Sequence, residues 1–322
     1  MRGVGLIARR LVAAVPTVVL VALGAYLLLE LAPGDAADAY LAQTGGDAGF
    51  AAEVRHRFGL EGTGAERLVR FLGNLAAGDL GTSAVFGRRV AEVVVERLPT
   101  TLALMVCAVA FAALLGGWTG LLAGARPGSP RDRLLSVAAL ILLALPSFWL
   151  GLLLVYLFGV RLGWLPTAGL HAVGGGGAGW LDVARHLVLP TVALGAGYVA
   201  LYMRTLRAGM VDAWRAEHVR AARARGLDER AVVWRAVARP ALLPVVVLLG
   251  QQAGALFGGS VVVETVFGIP GMGRLAYEAV AGRDAQLLVG VVLVGTLVVI
   301  AANLVVDLLL ARLDPRIGAA DA

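Results

Sequence analysis

Six stretches of this chain, residues 11–29, 100–124, 134–160, 187–203, 241–263 and 285–306, contain no charged side chain. A helix crosses the hydrocarbon core of a bilayer with about 20 predominantly apolar residues. Within that core every backbone N–H and C=O must be paired inside the protein, which favours helices. Runs of this length, separated by charged loops, predict an all-α membrane protein with six transmembrane helices. Composition agrees: of 322 residues, 59% are apolar and only 16% charged, against roughly 25% charged in soluble domains. The same figures exclude disorder, which needs low hydrophobicity and high charge. The first run exceeds the roughly 7–15 residues of a signal-peptide core and further spans follow, so it reads as an uncleaved helix.

Arginine sets the orientation. The chain has 28 cationic residues, none of them lysine, against 22 acidic ones, a formal net charge of +6. With the N-terminus inside, 17 arginines fall in cytoplasmic segments, nine of them from Arg204 to Arg239, while the short outer loops hold only Arg161, Arg185, Arg274 and Arg283. Cytoplasmic loops carry the positive excess, so both termini are expected in the cytoplasm. In so apolar a chain the basic balance records orientation, not a nucleic-acid partner. Without lysine there is no Gly-x-x-x-x-Gly-Lys phosphate loop, and nucleotide energy has to come from a partner. One cysteine, Cys107, inside an apolar run permits neither an internal disulfide nor a Cys-x-x-Cys site.

Two loops stand out. The outer loop after the first span is far longer than a plain connection; within it 53–58 and 66–75 read as short helices and 78–83 as a turn. The cytoplasmic stretch 207–239 is too charged to span. Its segment 211–224 lacks proline and glycine and is rich in helix formers, predicting one surface helix that Gly226 ends in the left-handed conformation. Asp228 and Glu229 then open a second helix, where acidic groups suit the positive dipole end. Composition leaves two uses for this basic loop: contact with anionic lipid headgroups, or docking onto a partner.

Spacing within the loop bears on that choice. Ala221-Ala222, then Gly226, then a second helix running to Leu242-Leu243-Pro244 resemble the EAA loop of ABC importer permeases. Arg220 stands where that family's usual glutamate would be, and the interval from Gly226 to Pro244 is longer than the common form. Both departures are similar to the dipeptide and oligopeptide permeases, in the run Val219-Arg220-Ala221-Ala222-Arg223-Ala224-Arg225-Gly226-Leu227. Other matching motifs are Arg9-Arg10-Leu11 with Pro16-Thr17, Leu31-Ala32-Pro33-Gly34-Asp35, Gly78-Asp79-Leu80-Gly81-Thr82-Ser83 and Glu96-Arg97-Leu98-Pro99-Thr100-Thr101. They continue through Leu145-Pro146-Ser147-Phe148-Trp149-Leu150-Gly151, Arg161-Leu162-Gly163-Trp164-Leu165-Pro166, Pro270-Gly271-Met272-Gly273 and Leu313-Asp314-Pro315-Arg316. On these motifs, in order along nearly the whole chain, the protein resembles the B-type permease of the dipeptide/oligopeptide/nickel ABC importer family.

That resemblance implies a type I ABC importer transmembrane domain. Residues 1–97 would be a first span with an extracytoplasmic loop, 98–311 the transmembrane core with its coupling loop at 209–240, and 312–322 a cytoplasmic tail. The loop would seat a coupling helix in a groove of the ATPase through Glu217, Arg220, Ala221, Ala222, Arg223, Gly226, Leu227 and Pro244, with Gly226 setting the bend and Pro244 the start of span 5. Implied partners are a paralogous permease forming a heterodimer, two cytoplasmic ABC ATPases that bind the ATP, and an extracytoplasmic binding protein. The setting would be the lipid bilayer of a bacterial inner membrane. The chain itself would hold no cofactor and catalyse no reaction. Peptides are the implied cargo, with nickel chelates or other small solutes as the alternative.

Polar residues at membrane depth mark candidate pathway positions. They are Gln251, Gln252 and Glu264 in or beside the fifth run, Asn303 in the sixth, and Ser147 next to Pro146 midway through the third. Interhelical hydrogen bonds account for the glutamines and Asn303 equally well, and a packing kink accounts for the proline. Asp307 is expected to be structural, one turn from Arg312. Gly116, Gly117, Gly195, Gly197, Gly258, Gly259, Gly290 and Gly295 are expected to let helices approach closely, which fits packing against a paralogous permease. His56, His171, His186 and His218 are expected in loops or at helix ends. A self-sufficient secondary transporter would need a buried acidic ion site at mid-membrane, and a membrane enzyme would need paired acids or histidines there; the six runs hold neither.

Overall fold

A computed structural model describes residues 14–27, 62–172 and 179–313. Along them lie α1 (Ala14–Leu27), α2 (Gly64–Ala76), α3 (Val90–Ala125), α4 (Pro130–Ala144), α5 (Ser147–Arg161) and α6 (Trp180–Trp214). There follow α7 (Glu217–Ala224), α8 (Glu229–Gln251), α9 (Ala253–Val266), α10 (Met272–Ala281) and α11 (Ala285–Leu313). Four of these, α3, α6, α8 and α11, are long and apolar enough to cross a membrane, and α4 with α5, bent by 101° at their joint, makes a fifth if the pair is one broken span. The ends of the first predicted run, the helix expected at 53–58 and the glycine tract at 174–177 lie outside the described residues.

The bend has a local cause. Proline crowds the residue before it out of the helical region, and Leu145 is extended at φ −81°, ψ 123°. The helix restarts after Pro146, so the break expected at Pro146-Ser147 is present. Two further boundaries differ from expectation. The run 241–263, expected as one span, is parted at Gln252 (φ −85°, ψ −4°) into α8 and α9. Pro244 lies inside α8, which starts at Glu229, and so does not open that helix. The surface helix expected over 211–224 is also shorter: α6 continues to Trp214, the chain extends at Ala216 (φ −75°, ψ 147°), and only Glu217–Ala224 stands apart. Val219 follows Ala213 by about one and two-thirds turns, so an unbroken helix would aim them at different sides. The break lets both enter one core.

Two compact units result, one from residues up to Leu102 with Pro270–Ala301, the other from Ala103–Ile269 with residues from Ala302 on. Residues 270–301 join the first unit. Asp284 explains it, accepting from Ser83 Oγ (2.6 Å) and the Val85 N–H (3.1 Å), while Gln286 accepts from the Thr82 N–H (2.8 Å). In the same unit α2 begins in a capping box between Thr63 and Glu66. It lays Leu68, Phe71 and Leu75 against Ala22, Tyr26, Val289 and Leu293. The turn expected at 78–83 is found, with Gly78 and Gly81 at φ +75° and +78°.

In the second unit α6 is the axis. Of its most apolar 18-residue window 67% is buried, and its 35 residues make it about 52 Å long. On α3, Gly116, Gly120 and Gly124 share one face. A Cβ there would come within 2.6 Å of the Val199 carbonyl oxygen, 2.9 Å of the Met203 carbonyl oxygen and 2.6 Å of the Met210 sulfur respectively. Gly195 likewise admits the Phe111 ring, at 2.8 Å from such a Cβ. These glycines pack the chain against itself; Gly117, Gly197 and Gly258 meet nothing within 4 Å among the described residues.

Gly120→Val should therefore destabilise the detergent-solubilised chain by roughly 1–3 kcal/mol through overpacking, read as a lower melting temperature. Gly117→Ala should change it by no more than about 0.5 kcal/mol. Equal melting temperatures for the two variants would refute the assignment of the α3–α6 contact.

Candidate functional site

The basic loop between α6 and α8 is built around α7. Val219 and Ala222 point inward, 0% and 2% exposed, into a core with Met210, Ala213, Val232 and Val237. Glu217, Arg220, Ala221 and Ala224 are exposed, and their spacing puts them on one outward stripe. The helix closes in a Schellman motif. The Gly226 N–H donates to the Arg223 carbonyl (2.9 Å) and the Leu227 N–H to that of Ala222 (3.4 Å). Gly226 holds φ +80°, a value L side chains avoid, and so sets the bend as expected. Leu227 packs onto the inward core. Of the residues expected to couple, Glu217, Arg220 and Ala221 thus face outward, Ala222 and Leu227 anchor the underside, and Pro244 stands apart within α8.

Arg223 turns sideways. Its Nε and Nη2 donate to the Glu229 carboxylate at 3.0 and 3.3 Å, across the Gly226 turn, and its guanidinium lies 5.0 Å from the Trp214 ring centre. The Trp214 Nε1–H donates to the Gly124 carbonyl (2.9 Å). A half-exposed ion pair adds little stability, at most about 1 kcal/mol, but together these contacts fix the turn to α3. A second tether is His218, whose Nε2 lies 2.9 Å from the Ala236 carbonyl oxygen. A carbonyl only accepts, so Nε2 carries the proton. Pro240, four residues after Ala236, has no N–H to return and its ring crowds that carbonyl. The helix widens into a π-helical stretch over Val232–Ala238, and His218 supplies the donor.

The first turn of α4 holds an acid, Asp132, whose pairing with Arg207 of α6 the sequence reading passed over. Asp132 is 1% exposed. Its carboxylate accepts from the Gly128 N–H (2.8 Å), Ser136 Oγ (3.3 Å), and both Nε and Nη2 (2.8 Å) of Arg207 on α6. The Arg207 hydrogen bond is the main reason its pKa falls to about 2, outweighing the opposing effect of burial. Both residues lie just outside the charge-free runs. The available signal was Ser129-Pro130-Arg131-Asp132, an N-cap serine, a proline at the first helical position and an early acid. The Ser129 hydroxyl indeed caps α4, accepting the Asp132 N–H at 3.2 Å.

The candidate pathway residues sit at helix breaks and junctions. Ser147 opens α5, half-buried behind Pro146. Gln251 is exposed and Gln252 half-buried where α8 passes into α9. Gly250 beside them faces Val306, one turn beyond half-buried Asn303 on α11. Glu264 is 0% exposed, enclosed in the protein and not facing an opening. It closes α9 by accepting the Ile269 N–H at its carbonyl (2.8 Å). His186 also departs from expectation. It lies within α6, 6% exposed, its Nδ1 2.9 Å from the Asp182 carbonyl oxygen. His56 and the Arg312 side chain expected near Asp307 lie outside the described residues. Among the described residues no three His, Cys, Asp or Glu side chains gather as a metal site.

Residues 116–319 match the family of binding-protein-dependent transport system inner membrane components. The chain is 39% identical to the glutathione transport system permease protein GsiC of Pectobacterium atrosepticum over 310 residues, 96% of this chain and 97% of that one. It is 35% identical to the di/tripeptide transport system permease protein DppB of Pseudomonas aeruginosa, over 97% and 98% of the two chains. Its fold matches a chain of the MetNI methionine ABC transporter in inward-facing conformations with a TM-score of 0.54, at 19% identity, over 69% of this chain and 96% of that one.

The depressed Asp132 pKa fixes a pH dependence. The carboxylate contributes stability above its ordinary value of 3.8 and loses it as pH falls towards about 2, a contribution of about 2 kcal/mol when fully present. Asp132→Asn should therefore melt below the unsubstituted chain at about pH 6, and the gap should close between about pH 4 and pH 2. A gap that stays constant to the acid end would refute the linkage.

Proposed function

The chain belongs to the family of binding-protein-dependent transport system inner membrane components, and on that premise we propose that the outward stripe of α7 is the surface through which partner ATPases drive it. It is a non-catalytic, multi-pass inner-membrane permease subunit of an ABC importer, a class that works with ATPase and binding-protein subunits. The proposal extends to composition and cargo. Two cytoplasmic ATPases bind the ATP, a paralogous permease completes the pathway as a heterodimer, and both termini face the cytoplasm, as the arginine distribution favours. The cargo is a short peptide. This rests on relatives named for glutathione, itself a tripeptide, and for di- and tripeptides, at 35–39% identity over nearly the full length.

The observation that carries the coupling role is the two-sidedness of α7. Ala221 and Ala224 leave room for close approach, while Glu217 and Arg220 offer charge to a partner. The buried underside at Val219 and Ala222 joins α7 to the core that holds the end of α6, so a push on the stripe is delivered to a span. Nucleotide shifts the permease between states only through its differential affinity for them. Along the pathway Gln251, Gln252, Asn303 and Ser147 supply donors and acceptors to a peptide backbone that has left water. Glu264 acts from beneath that surface, by holding the end of α9.

Reconstituted in liposomes with its ATPases, second permease and binding protein, the chain should take up a labelled dipeptide only when ATP is present. Peptide uptake by the chain alone, without ATP, would overturn the reading. Gly226→Val forces a β-branched residue to φ +80° at a cost of about 1–2 kcal/mol. It should leave ATP hydrolysis intact while uptake falls about tenfold; unchanged uptake would remove α7 from the coupling path.

A further inference from the structure

We propose that Asp132 and Arg207 form a strut that makes α4, the first half of a broken span, follow α6 and so follow α7. The inference rests on the coupling role proposed above. Arg207 lies seven residues before Trp214 on an unbroken helix, about 10 Å from the end that leads into α7. Movement delivered at that end arrives at Arg207 without passing a hinge.

α4 also meets α6 through apolar side chains: Ala139 of α4 with Ala200 and Met203 of α6, Ala123 of α3 beside them, flanked by Leu135 and Leu142. Hydrophobic contact of this kind is non-directional. The forked guanidinium–carboxylate pair fixes orientation as well as separation, and the Gly128 N–H and Ser136 hydroxyl hold the carboxylate from behind. Capping does not require the pair, because Ser129 already caps α4.

Past Leu145 the span still borders α6, at Ala193, and meets Phe267 as well. α5 is bent by 101° from α4, and a Cβ at its Gly151 would sit 3.1 Å from the Phe267 ring. The Leu145-Pro146 joint is where the span changes direction. Asp132 and Arg207 are positioning residues: they touch no cargo, and they set which part of the span moves.

The test uses the full reconstituted complex and Asp132→Asn, Arg207→Lys and Asp132→Asn/Arg207→Gln variants. Each single change should lower dipeptide uptake per ATP hydrolysed about tenfold, with the amount of assembled complex unchanged. The double change should cost no more than the singles, since the pair acts as a unit. Unchanged uptake per ATP, losses that only track the amount of assembled complex, or additive losses would each overturn the strut. A second readout is independent of cargo. In a chain with Cys107 replaced by serine, spin labels are placed at exposed Leu134 and Arg215. They should keep one separation with and without ATP, and the distribution should broaden in Asp132→Asn. A wild-type complex that fails to couple ATP to uptake, while the label distances behave as described, would reject the coupling reading and leave the strut standing; identical label distributions in both forms would reject the strut itself.

Discussion

The close approach of α3 to α6 is the contact on which the second compact unit depends. Gly116, Gly120 and Gly124 present bare backbone to Val199, Met203 and Met210, and a side chain at any of them would drive the helices apart. The last of these glycines also lends its carbonyl to Trp214, and Trp214 in turn underlies the Arg223 guanidinium. Separation of α3 from α6 would unseat the tryptophan, then the arginine, then the turn at Gly226. A packing motif on α3 and the turn that closes α7 are consecutive links of one chain of contacts.

Membrane spans were legible because the bilayer punishes charge, and uncharged runs of sufficient length can be counted directly. Their true lengths were not. α6 runs through Arg204 and Arg207 to Trp214, since arginine is a good helix former and only the hydrocarbon core excludes it. The break at Ala216 carries no glycine or proline. It exists because Val219 and Ala213 both have to be buried, a requirement visible only once the core is assembled. Gln252 interrupts the fifth run with equally little local warning. Asp132 and Arg207 are 75 positions apart, and no local pattern joins a loop acid to one arginine among nine.

The candidate site divides in the same way. The motif around Ala221 and Gly226 could be located from spacing, and Gly226 could be given its turn. The division of labour between neighbours could not: Ala221 faces out while Ala222 seals the core, and Arg223 reaches Glu229 and Trp214 in place of the open solvent that its neighbours face. A resemblance in sequence treats these residues as one signature, whereas the fold assigns one part of it to contact and another to support.

The outward face of α7 has a further consequence. Its basic group is Arg220, flanked in the loop by Arg215 and Arg225, and the chain contains no lysine. Guanidinium groups stay protonated at any pH a cell reaches, and without lysine there is no side-chain amine for acylation to neutralise. The one nearby histidine keeps its Nε2 proton on a backbone carbonyl. Acidification or an acetylating enzyme would leave the positive charge of this surface in place.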